Sequence, residues 1–268
     1  MELLEEAGAA PSRTSIRTES QIGSKTNSKS KPNRNYGKKY FQIQGIPAIL
    51  WGSRSNKLYL YIHGQAGRKE EAEAFAQIAC HYAWQVLSID LPEHGERKRE
   101  TDSFDPWHVV PELLSVMDYI KGQWTHISLF ANSIGAWFSI LSFENEHLEK
   151  SLFVSPILDM NQLISTMMLR ANVSETQLER QRSIPTSSGQ TFSWEYFLYA
   201  QNHPITQWKV PTAILYGEHD KLTDRTVVEK FVQRFHCNLT IMKNGEHWFH
   251  TPEQLGILNN WIKTCLRE

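Results

Sequence analysis

Three residues of types that cooperate in nucleophilic catalysis each stand at the end of an apolar run: Ser133 in "ANSIGA", Asp220 in "YGEHD" and His247 in "NGEH". A serine hydroxyl is a poor nucleophile until a neutral imidazole accepts its proton. A carboxylate on the far side of the ring fixes the tautomer and stabilises the charged form. The chain order Ser, Asp, His is one of the orders in which such triads occur. Ser133 lies between Ala131 and Gly135, where strand-forming residues give way to helix-forming ones. A sharp strand-to-helix turn with small neighbours would expose its hydroxyl. Attack on an acyl carbon also puts negative charge on oxygen, which needs preorganised N–H donors. The backbone N–H of Ile134 would give one, and the loop after His63-Gly64 the other, from Gln65.

Other residues compete for these roles. Asp159 follows a strand ending near Ser155 and is a rival to Asp220 as the acid. His250, three residues after His247, could pair with it around a metal, but no HExxH pattern or carboxylate cluster accompanies the two. No metal site and no cofactor are therefore expected. His63 reads as a residue orienting its own loop, and Glu218 and His219 as loop residues.

Positioning these side chains requires a framework. Apolar strands such as "KLYLYIHG", "WQVLSIDLP", "HISLFAN", "KSLFVSP" and "PTAILYGEHD" alternate with helical stretches such as "DPWHVVPELLSVMDYIK" and "RTVVEKFVQRF". That alternation predicts an α/β fold, a mostly parallel central sheet with helices on both faces, preceded by an antiparallel pair in "KYFQIQ" and "IPAILWG". In such a sheet, reactive groups gather where the strands end. Residues 157 to about 207 interrupt the rhythm with helical Met and aromatic residues, as expected of a small helical cap. Residues 1–38 are basic, rich in Ser, Lys, Arg and Asn, and poor in aromatics, as expected of a disordered tail. This leaves 39–268 as one domain.

The 268 residues are 40% hydrophobic and 21% charged, with a formal net charge of −1, a balance that gives no reason to expect nucleic acid as a partner. Three scattered cysteines in no CxxC pattern fit a reducing cytosol better than a disulfide framework. No secretory signal is visible at the start, and no apolar run is long enough to span a membrane. The oligomeric state stays open.

Taken together, "IHGQAG", "DLPEHGER", "ANSIGA", "YGEHD" and "GEHWFH" make residues 40–268 resemble an α/β-hydrolase fold serine hydrolase. Small carboxylesterases and the serine-aminopeptidase or monoacylglycerol-lipase-like branch are similar. The resemblance implies Ser133 as nucleophile, Asp220 as acid, His247 as base, and a cap between the sixth and seventh strands of the sheet. Ala131, Glu93 and Glu246 depart from the family's usual residues. The expected activity is cleavage of a small or medium acyl ester through an acyl-serine intermediate, on a small-molecule acyl substrate. An aminopeptidase or thioesterase would use the same triad, and a binding protein could keep the fold without turnover. Trp137 and Trp248, each near a triad residue, are expected to close a small, covered, apolar pocket from below.

Overall fold

The computed structural model describes residues 37–186 and 191–267. The expected tail lies outside the described residues except for its last two. There Gly37 O already accepts a bond from Gly52 N at 2.8 Å, and Lys38 opens the first strand.

A period-two alternation in the central strands divides their side chains between two cores. Along β3 (Lys57–Ile62), Leu58, Leu60 and Ile62 enter one core while Tyr59 and Tyr61 enter the other. On the first face pack α2 (Pro106–Lys121), α3 (Ile134–Phe143) and α7 (Arg225–Phe235). On the second face lie α1 (Ala72–Ala79) and α8 (Pro252–Cys265). A strand buried on both faces has no solvent side, which is why these runs are almost continuously apolar.

β1 (Lys38–Ile43), β2 (Ile46–Trp51), β4 (Gln85–Ile89), β5 (His126–Asn132), β6 (Ser151–Val154), β9 (Thr212–Gly217) and β10 (Asn238–Met242) complete the eight-stranded sheet. Its order is β1-β2-β4-β3-β5-β6-β9-β10. The β1–β2 and β2–β4 pairs are antiparallel and every other pair is parallel. The ends of β3, β4, β5, β6, β9 and β10 therefore share one edge, and the loops carrying Ser133, Asp220 and His247 leave from it.

Between the neighbouring strands β6 and β9 the chain makes α4 (Met160–Arg170), α5 (Glu175–Gln181), a hairpin of β7 (Ser183–Pro185) and β8 (Thr191–Ser193), and α6 (Trp194–Asn202). The insertion has a small core of its own in Met168, Leu178, Ile184, Phe192 and Phe197. The hairpin was not foreseen from the sequence. Among the described residues the three cysteines form no disulfide, and no helix is long and apolar enough to cross a membrane.

Candidate active site

Ser133 sits at the turn from β5 into α3 with φ 48° and ψ −121°. A non-glycine residue in that region carries strain, and the surroundings hold it there. Ser133 N donates to Val154 O at 3.0 Å, while its carbonyl accepts from Ala136 N and Ile157 N. Gly135 makes the turn possible by close approach. A Cβ at that position would lie 2.5 Å from His63 O, so the helix start could not pack against the end of β3.

The Ser133 hydroxyl lies 2.8 Å from His247 Nε2, and His247 Nδ1 lies 2.7 Å from Asp220 Oδ2. The second bond makes Nδ1 the protonated nitrogen and leaves Nε2 free to accept the serine proton. The Asp220 side chain is fully buried, and its other oxygen accepts from Leu222 N and Thr223 N. Those bonds fix the orientation of the carboxylate toward the imidazole. The loops bearing the acid and the histidine are tied to one another: His219 N donates to Gly245 O at 2.7 Å. A Cβ on Gly217 would stand 2.3 Å from Glu246 O, so glycine lets the histidine loop close onto β9. Asp159, the rival acid, caps α4 instead, accepting from Gln162 N at 2.9 Å.

Gln65 and Ile134 border the same cavity as Ser133. His63 is fully buried behind this loop. Its Nδ1 donates to Gly64 O at 2.8 Å and its Nε2 accepts from Leu91 N at 3.0 Å. Burial lowers its pKa to about 4, so the ring stays neutral and keeps its acceptor. Because a peptide is planar and trans, anchoring Gly64 O fixes the direction of the Gln65 N–H on the opposite side of that plane.

The cavity measures about 760 Å³. One wall is apolar and comes from the insertion, with Leu163, Ile164, Met167 and Phe192. Polar residues of the lining include Glu93, Asp102 and Asp105. Arg182 and Glu195 also line it and are ion-paired to each other. The site is thus larger and more polar than the small apolar pocket expected from the sequence. Glu93 adopts φ 64°, a left-handed conformation that favours glycine, and its side chain accepts from Ser103 N and Phe104 N.

Two expected pocket residues do not line this cavity. Trp137, four residues along α3 from Ser133, turns into the core, where it is 1% exposed and stacks on Tyr196 with ring centroids 5.9 Å apart. Trp248 points away from the cavity and is 75% exposed, beside the His250 ring. Among the described residues no group of three or more His, Cys, Asp or Glu is arranged to hold a metal, and His250 Nδ1 contacts Trp248 O and Glu246 instead. The sequence reading also passed over His94, which lies 5.2 Å, ring to ring, from His63. Its signal was its place in a loop at a strand end.

No family model and no curated protein sequence matches the chain. Solved structures do. Est1E from Butyrivibrio proteoclasticus, with ferulic acid bound, aligns at a TM-score of 0.69 and 17% identity, covering 85% of this chain and 98% of that one. Alpha/beta hydrolase domain-containing protein 10 from mouse aligns at 0.69 and 13% identity, covering 86% and 98%. A soluble variant of monoglyceride lipase from Saccharomyces cerevisiae, in complex with a substrate analog, aligns at 0.62 and 13% identity, covering 88% and 97%. The strand order, the crossovers and these likenesses agree on one architecture: the chain has the α/β-hydrolase fold.

Proposed function

We propose that the protein is a serine hydrolase that cleaves a small or medium carboxylic ester through an acyl-serine intermediate. The observation that carries this reading is the continuous hydrogen-bonded chain from Ser133 through His247 to Asp220, opening on a cavity of ligand size. In this reading His247 Nε2 takes the proton of Ser133 as Oγ attacks the ester carbon. Asp220 holds the imidazolium that forms. The tetrahedral oxyanion is received by the backbone N–H groups of Gln65 and Ile134, the latter at the N-terminus of α3 where the helix dipole adds to its donor strength. The imidazolium then returns the proton to the departing alkoxide, and water repeats the sequence to free the acid.

The insertion after β6 serves as the cap, its apolar wall taking the acyl chain. The structural neighbours Est1E and monoglyceride lipase are an esterase and a lipase by name, which supports ester chemistry for this fold. The cytosol is the proposed compartment, from the three scattered cysteines.

The test is labelling with a fluorophosphonate together with turnover of p-nitrophenyl esters. Ser133→Ala is expected to abolish labelling and to lower kcat by at least about 10³-fold with the fold retained. Undiminished turnover in that variant would refute the assignment.

A further inference from the structure

We propose that His94 is a positioning residue for the oxyanion loop, acting through the backbone of Ala66. The inference rests on the hydrolase reading above and goes beyond the triad and its two donors.

β3 and β4 are parallel neighbours, so the loops that leave their ends, residues 63–68 and 90–97, run side by side. Their flanks are joined by a buried network around Asp90. Its Oδ1 accepts from Lys69 N at 2.8 Å, and its Oδ2 accepts from Lys69 Nζ at 2.7 Å and Glu96 N at 3.0 Å. Between the two loops, Ala66 N in the middle of the oxyanion loop donates to His94 Nε2 at 2.9 Å.

The tautomer of His94 follows from its other nitrogen. Nδ1 lies 2.7 Å from Pro92 O, a carbonyl that can only accept, so Nδ1 carries the proton and Nε2 the lone pair. The ring is 7% exposed and packs against Phe104 with centroids 4.4 Å apart, which fixes its plane.

That contact restrains a strained segment. Ala66 has φ 58°, a left-handed conformation that is unfavourable for a residue with a Cβ. Released, Ala66 would relax toward negative φ and turn the peptide between Gln65 and Ala66. His63 fixes the peptide plane before Gln65 through Gly64 O, and His94 fixes the plane after it through Ala66 N–H. The donor atom at Gln65 is thus held from both sides, as an oxyanion site requires, since its worth depends on preorganisation.

Three variants separate positioning from bulk packing. The Oε1 of glutamine reaches about as far as imidazole Nε2, so His94→Gln keeps an acceptor for Ala66. The shorter amide of His94→Asn reaches only the Nδ1 position and keeps the Pro92 contact alone. His94→Ala removes both. With p-nitrophenyl acetate, Ala and Asn are expected to lower kcat about 10- to 100-fold with KM within about 3-fold, the size of a misplaced catalytic group. Gln is expected to stay within about 3-fold of wild-type kcat. Amide hydrogen exchange at Ala66, followed by NMR, should accelerate at least about 10-fold in Ala and Asn and stay slow in Gln. Equal loss of kcat in Gln and Asn, or wild-type kcat in Ala and Asn, would overturn the proposal. A wild-type chain without ester turnover would instead refute the hydrolase reading, and the Ala66 exchange series would still decide whether His94 holds the loop.

Discussion

A buried imidazole that stays neutral makes the stability of the folded chain depend on pH, and His63 is such a group. Its folded pKa is lowered from the ordinary 6.5 to about 4, because burial penalises the charged ring. In the unfolded chain it takes up a proton near pH 6.5, so below that pH the unfolded state binds more protons than the folded one. The contribution of His63 is therefore complete above about pH 6.5 and is lost progressively as pH falls toward 4. The expected loss is about 2 kcal/mol between pH 7 and 5, a window above most carboxylate titrations. Urea unfolding measured across that range would reveal it, and the slope should flatten in His63→Asn. A wild-type stability flat from pH 7 to 5 would contradict the assignment. At this scale the sequence was most informative about the ends of strands. That Ser133, Asp220 and His247 come together could be read because the alternation of elements puts those three positions on one sheet edge. Trp137 and Trp248 were misread because nearness in sequence to a triad residue says nothing about direction. A side chain four residues along a helix lies one turn further on, toward the packed face, and the residue after His247 points to solvent.

Among the elements, α4 presents two faces with different duties. Met168 lies within the insertion's own core and is 3% exposed, while Leu163 lines the cavity, and Ile164 and Met167 both line the cavity and pack against that core. The helical spacing of these residues was legible, but the division between core and wall was not, since both faces use the same apolar types. The β7–β8 hairpin was invisible for another reason: three-residue strands are too short for an alternation to register. Because Met167 adapts easily and lines the wall, enlarging it should shorten the acyl pocket. Met167→Trp is expected to lower kcat/KM for p-nitrophenyl octanoate at least about 10-fold while leaving the acetate ester within about 3-fold. An unchanged ratio between the two esters would remove α4 from the acyl site.

For the whole chain, β1 pairs along its full length with β2, from Lys38 opposite Trp51 to Ile43 opposite Ile46. The sequence of residues 1–36 lacks the apolar content to form a core of its own. Removing them is expected to leave Tm within about 2 °C and ester turnover unchanged. A large drop in Tm on truncation would show that they dock. The antiparallel β1–β2 start and the parallel run of strands from β3 and β4 onward were legible because strand runs and helical runs alternate so regularly after Tyr40.

The insertion leaves the sheet at β6 and returns at β9, and those two strands lie side by side and parallel, with Ser151 opposite Thr212 and Val154 opposite Leu215. Parallel neighbours cannot be joined by a tight turn, because the chain must first travel back along the length of the sheet. The same stretch therefore does two jobs, lining the cavity and serving as the topological return path. For an engineer this sets a rule of exchange. A cap transplanted from another protein between positions 154 and 212 must bring its own return segment of a dozen residues or more. A short glycine linker, however harmless it looks at the surface, would leave β9, and with it the carboxylate of Asp220, with no route to its place in the sheet.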